Sequence, residues 1–276
     1  MRASLSHASL RVALAVAGLA GLSAACTAML AFRIQETGSA RYAFLTWNLM
    51  LAWTPVGASL VGGALLRTRR SALAVLALPV AGIWLLFLPN APYLATDLIH
   101  LGPSPLIPLW YDAAMLAMYG GLGVLLGLMS LLLMHRSVAL YTGRAGGWLF
   151  AAVTLVLTAF GVYLGRFQRL NSWEVFSSPT VVLQEVWTHL SDPLAYSRAL
   201  EFTALVTLLL ATAYLALHGV DLRVRSVRLG ADTHAGGLGR PLCCPHETAV
   251  GGKRWPWWTP GSRRTTCSRE SGSAAR

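Results

Sequence analysis

An all-α fold, a polytopic membrane bundle of about six transmembrane helices with a disordered C-terminal tail, follows from three observations on the sequence. Apolar runs of spanning length recur along residues 1–218 and stop there. Charged residues make up 12% of the chain, half the roughly 25% of a soluble domain. The basic residues give a formal net charge of +11, yet they are spread over alternate connections. They therefore read as orientation signals, with the lipid bilayer and not a nucleic acid as the partner.

Crossing the hydrocarbon core takes about 20 apolar residues. Six segments qualify: Leu10–Phe32, Ala43–Leu66, Ser71–Leu88, Tyr111–Met134, Gly147–Gly165 and Ala199–His218. The first is read as an uncleaved helix, because its apolar run exceeds the roughly 7–15 residues of a signal-peptide core. Ser23 also stands where a lipoprotein cleavage site wants a leucine-like residue. The second span holds Asn48 and Pro55. The third is short, and Pro79 should kink it, which neighbouring helices can accommodate. In the fourth, Gly120, Gly121, Gly123 and Gly127 form a stripe of small residues, read as internal packing with a dimer interface as the alternative. Cys26, Cys243, Cys244 and Cys267 make no disulfide framework.

Basic residues sort by side. Arg2, Arg11, Arg67, Arg69, Arg70, Arg136, Arg144 and the ten beyond His218 total 17 on one side. Arg33, Arg41, Arg166, Arg169 and Arg198 total five on the other. The excess marks the cytoplasmic side, so both termini are expected in the cytoplasm of a cell-membrane protein. Glu36, Asp97, Asp112, Glu174, Glu185, Asp192 and Glu201 all fall on the opposite, outer face.

Two outer connections carry the chemistry. In "LFLPNAPYLATDLIHLGPSPLIPLWYD", Pro89 and Pro92 disfavour helix at the residues before them. "PNAPY" is thus expected to be an interfacial turn, and "ATDLIH" a short helix on which Asp97 and His100 share a face. Asp97, His100 and Asp112, completed by His189 or Glu174, have the residue types of a metal or acid–base site, but no tight zinc motif is present. The competing reading pairs them internally with Arg166. In "GRFQRLNSWEVF", Arg166 and Arg169 would share a face if the helix continues, and Arg binds phosphate or carboxylate bidentately. Asn171 or Ser172 is placed to cap the next element. The candidate polar site is therefore Asn90, Tyr93, Asp97, His100, Asp112, Arg166, Arg169, Asn171, Trp173 and Glu174, with no catalytic residue, metal ligand or cofactor assigned.

From residue 219 apolar periodicity disappears, and a segment of that composition does not bury enough surface to order itself. "KRWPWW" mixes basic and interfacial aromatic residues suited to an anionic leaflet.

"FLPNAPYLATDLIHL", the following "WYD" and "GRFQRLNSWE" resemble the signatures of bacterial multi-pass membrane proteins grouped as domain of unknown function 1361. The resemblance runs through about residues 40–218 and rests on Pro89, Asn90, Pro92, Tyr93, Asp97, His100, Arg166, Asn171 and Trp173. It implies a membrane protein and lends no activity. Three functions compete. The first is binding or transport of a small polar or lipid-headgroup ligand at the outer face. The second is a membrane-embedded enzyme acting on a lipid or lipid-linked substrate, with Asp97 or Glu174 as base. The third is a structural or accessory subunit whose charges pair with one another.

Overall fold

A computed structural model describes residues 2–67, 71–192 and 195–237. It is all-helical among these residues. The order is α1 (Arg2–Thr37), α2 (Phe44–Arg67), α3 (Ser71–Phe87), α4 (Asn90–Thr96), a 3-10 turn (Asp97–His100), α5 (Leu109–Phe167), α6 (Glu174–Ser177), α7 (Pro179–Ser191) and α8 (Ser197–Gly237). Five stretches are long and apolar enough to cross a membrane: Val12–Thr37, Phe44–Leu66, Val75–His100, Leu109–Phe167 and Ser197–Asp221.

The fourth and fifth expected spans thus form one element of 59 residues. A straight helix of that length would run close to 90 Å at 1.5 Å per residue, about twice a bilayer. It does not run straight. Gly143 adopts φ 77° and ψ 179°, a conformation essentially confined to glycine, and the chain turns back there. The two arms then pack: the His135 and Trp148 rings lie 5.1 Å apart, and Leu128, Leu131 and Leu132 share a core with Ala151 and Leu155. The reversal falls in the expected connection between the fourth and fifth spans, where His135, Arg136 and Arg144 interrupt the apolar pattern.

The expected interfacial turn at "PNAPY" is also corrected. Only Leu88 and Pro89 turn, and α4 starts at Asn90. Pro89 and Pro92 sit before and within the first turn of α4, where a missing N–H goes unnoticed. The short helix is buried between the arms of α5, and glycines make room for it. A Cβ on Gly120 would come 2.8 Å from the Ala95 Cα, and one on Gly123 would come 2.2 Å from the Ala91 carbonyl oxygen. On the other arm, a Cβ on Gly161 would meet the Pro89 ring at 2.5 Å. The stripe of small residues is therefore internal packing. Gly121, by contrast, faces open space.

Two cores follow. Cys26, Leu30, Leu45, Leu49, Leu94, Met115, Tyr119 and Leu122 join α1, α2, α4 and the first arm of α5. Trp84, Leu131, Leu155, Leu210 and Tyr214 join α3, both arms of α5 and α8. A polar relay pins the helices: the Trp84 indole donates to Ser130 Oγ at 2.6 Å, and Ser130 donates to the Pro55 carbonyl at 2.9 Å. Such carbonyls must find a partner where water is absent. Leu76, Leu78, Met50, Leu205 and Leu208 face outward, as lipid-facing residues do.

Contacts sort the connections by end. Arg33 meets Asp112, Tyr42 meets His100 and Arg166 meets Asp97 at one end. Arg136 meets Asp221 and the Tyr141 hydroxyl reaches the Leu66 carbonyl at the other. α8 continues past His218 to Gly237, and the motifs "CCPH", "KRWPWW" and Cys267 lie outside the described residues.

Gly123→Ala forces backbone apart and should cost about 1–3 kcal/mol, the range of overpacking. Gly121→Ala should be neutral or stabilising by up to about 1 kcal/mol. Thermal unfolding midpoints of the two variants in one detergent check this. Equal midpoints would remove α4 docking as the reason for the glycine stripe.

Candidate functional site

The two motif segments converge. α4 ends by delivering Thr96 and Asp97 to the C-terminal end of α5, where Arg166 waits. Arg166 donates to Asp97 Oδ1 at 2.6 Å, and to Thr96 Oγ1 from Nε at 2.9 Å and from a terminal nitrogen at 2.5 Å. A further guanidinium nitrogen lies 3.3 Å from His100 Nε2. The guanidinium also covers the Tyr93 ring at 4.3 Å, a cation–π contact. The other carboxylate oxygen of Asp97 accepts from Asn48 Nδ2 at 3.1 Å. Asp97 is 1% exposed and Arg166 10%. A charge buried so far survives only when paired and hydrogen-bonded, and here both conditions hold.

Asp112 belongs to a different pair. It holds Arg33 bidentately at 2.7 and 3.0 Å, with both side chains at most 2% exposed. The Tyr42 ring lies 4.4 Å under that guanidinium. The grouping of Asp112 with Asp97 and His100 is corrected accordingly. So is the metal reading: His189 packs among Tyr163, Phe160 and Tyr196, and Glu174 turns to Asn171. Among the described residues no cluster of three or more His, Cys, Asp and Glu forms a metal site.

Arg166 and Arg169 do not share a face. The helix ends at Phe167, and Arg169 takes φ 59°, a left-handed conformation uncommon for a side chain with a Cβ. That turn reverses the chain, so Arg166 points into the bundle and Arg169 stays exposed. Asn171 is tied to Glu174, whose carboxylate accepts from its backbone N–H at 2.9 Å and its Nδ2 at 3.2 Å. Asn90 donates from Nδ2 to the Phe87 carbonyl at 3.1 Å and to Ser172 Oγ at 2.8 Å, and Ser172 donates to the Leu86 carbonyl at 3.0 Å. Trp173 meets Trp47 edge-on at 6.5 Å between centroids.

Beside this network lies a cavity of about 800 Å³, within the roughly 300–1,000 Å³ of ligand sites. Its walls are mostly apolar: Leu51, Pro79, Ile83, Leu86, Leu157, Leu164 and Phe176. Gly82, Gly161 and Gly165 widen it, and Asn48, Asn90, Tyr93, Asn171 and Ser172 supply its polar groups. Asn48, Thr96 and Arg33 are participants that the candidate polar site left out, and Ser172 entered the sequence reading only as a possible cap. Thr96 stands next to Asp97 and Ser172 next to Asn171, so proximity to the motif was the available signal. Arg33 gave none beyond its place at a span end.

A model of the family described as "Protein of unknown function (DUF1361)" matches residues 47–213. The chain belongs to this family. The matched region holds both motif segments, the Asp97–Arg166 pair and the cavity, while Arg33 lies outside it. No curated protein and no solved structure matches the chain. This DUF1361 protein therefore takes its functional reading from its own geometry.

Removing one member of a buried pair should cost about 3–5 kcal/mol, so Arg166→Leu and Asp97→Ala each lower the unfolding midpoint strongly. The double variant should be milder than the two losses summed, by about 1–3 kcal/mol of coupling. Losses that simply add in the four-protein cycle would exclude direct pairing.

Proposed function

We propose that this chain is a multi-pass cell-membrane protein, both termini cytoplasmic, that binds an amphipathic lipid-type ligand from the bilayer. The cavity carries this reading. Its apolar floor suits a hydrocarbon chain, and its polar groups gather at the end of the bundle where Asp97 meets Arg166. By the sequence, only Arg33, Arg41, Arg166, Arg169 and Arg198 are assigned to that end, which supports its placement outside. The headgroup would meet the amides of Asn48, Asn90 and Asn171 at the rim.

The Asp97–Arg166 pair takes a structural part in this reading. Arg166 spends its donors on Thr96, Asp97 and His100, and Asp97 spends both oxygens on Arg166 and Asn48. Both side chains are engaged within the network, and neither lines the cavity. This disfavours the enzyme reading, because no Asp, Glu, His, Lys or Arg lines the cavity among the described residues. A general base must come within hydrogen-bond reach of its proton.

Gly82 tests the cavity without touching the network. It lines the space, and a Cβ there meets nothing within 4 Å. Gly82→Phe should fill the cavity and abolish lipid retained on release from nanodiscs, read by native mass spectrometry. Its unfolding midpoint should not fall, since losing a helix-interior glycine gains roughly 0.5–1 kcal/mol. Equal retention by wild type and variant would sink the proposal.

A further inference from the structure

We infer that α7, with Phe176 of α6 before it, lies along the membrane interface at the Asp97–Arg166 end and presents an uncovered apolar stripe to phospholipid. That end is the outer leaflet in the orientation proposed above. Residues 168–196 join two spanning stretches, one ending at Phe167 and the next starting at Ser197. Phe167 meets Phe202 of α8 at 5.1 Å between ring centroids, so both ends of the connection are tied to one membrane surface. Within it α7 has 13 residues. That is about 20 Å of helix, too short for the roughly 30 Å of hydrocarbon. One side of α7 is docked on the bundle. His189 is buried, with its ring 5.5 Å from that of Tyr163 and 4.4 Å from that of Tyr196. Val186 packs on the core of Tyr163, Leu164 and Ala199. Leu183 and Trp187, four residues apart and so on one stripe, are 68% and 72% exposed. The next stripe, about 100° further round, is Gln184 and Thr188. The helix is packed on one side, apolar on a second and polar on a third, as a helix lying in the interface must be.

Three observations make phospholipid the occupant of this stripe. The apolar surface of the spans runs up to it: Leu208, Leu205 and Leu200 of α8 and Phe167 at the end of α5 are all exposed. Indoles mark the level. Trp47, Trp110, Trp173 and Trp187 are exposed at this same end, and Trp gathers where hydrocarbon meets headgroups. No Lys or Arg occurs from residue 170 to residue 197. The helix is therefore held by apolar burial and not by attraction to anionic headgroups. Neither Leu183 nor Trp187 lines the cavity, so the inference does not rest on the cavity reading. Phe176 belongs to both surfaces, since it lines the cavity and is exposed.

The experiment uses the full-length protein in phosphatidylcholine nanodiscs. Benzoylphenylalanine, which bonds to neighbouring C–H groups on irradiation, is placed singly at Leu183, Trp187, Gln184 or Thr188. A fifth position, Leu205 on the outward side of α8, shows that the reaction reports lipid contact. Variants are compared where their unfolding midpoints equal that of the wild type, and two positions per stripe keep the test decisive if one substitution unfolds the chain. Intact mass after irradiation should show a phospholipid adduct at Leu183, Trp187 and Leu205 and none at Gln184 and Thr188. A protein-dimer mass at Leu183 and Trp187 would put a second copy on this face and overturn the inference. Adducts spread evenly over both stripes would overturn it too, as would lipid captured at Leu205 alone.

Discussion

Asp97 sits at 1% exposure in a chain otherwise built to face lipid, and much of the bundle's end is arranged around holding it there. Desolvating a carboxylate costs several kcal/mol that only a well-made pair offsets. Arg166 supplies the opposite charge from α5, Asn48 supplies a second donor from α2, and Thr96 fixes the guanidinium from α4. Three helices meet at one ion pair. If any of them shifted, a buried charge would lose a partner. The pair therefore sets the register in which these helices pack.

That register depends in turn on how closely α4 can approach α5. Gly120, Gly123 and Gly161 let the short helix lie against both arms, and without that approach Thr96 and Asp97 could not reach Arg166. In a bilayer there is little hydrophobic gain from bringing helices together, so close packing of small residues and interhelical hydrogen bonds carry the association. The glycines and the ion pair are two parts of one joint. The cavity lies on the other side of that joint, between α2, α3 and the second arm of α5. Its amides are anchored by the groups that build the joint: Asn48 by Asp97, and Asn90 by Ser172. A site made this way is held in shape before any ligand arrives, which cuts the ordering cost of binding.

Much of this was legible in the chain. Hydropathy and charge asymmetry gave the helices and the sorting of connections by end, because the bilayer imposes a length and a sign on each segment. The two unusual motif segments were expected on one side, and Asn90, Tyr93, Asp97, His100 and Arg166 do meet there. The pairings were less legible. Asp112 reads as a neighbour of Asp97 in sequence, yet it belongs to Arg33, 79 residues away. Arg166 and Arg169 read as one helix face, yet the left-handed turn at Arg169 separates them.

By itself the sequence determined that this DUF1361 protein is a helical membrane bundle with its polar motifs at one end, because those features follow from local composition and spacing. Only the tertiary structure decided that the reversal between the fourth and fifth spans falls at Gly143 and that helix resumes at Asn90, directly after Pro89. It alone decided which charge meets which. Those outcomes depend on distances between segments far apart in the chain. A backbone can approach only where a Cβ is missing.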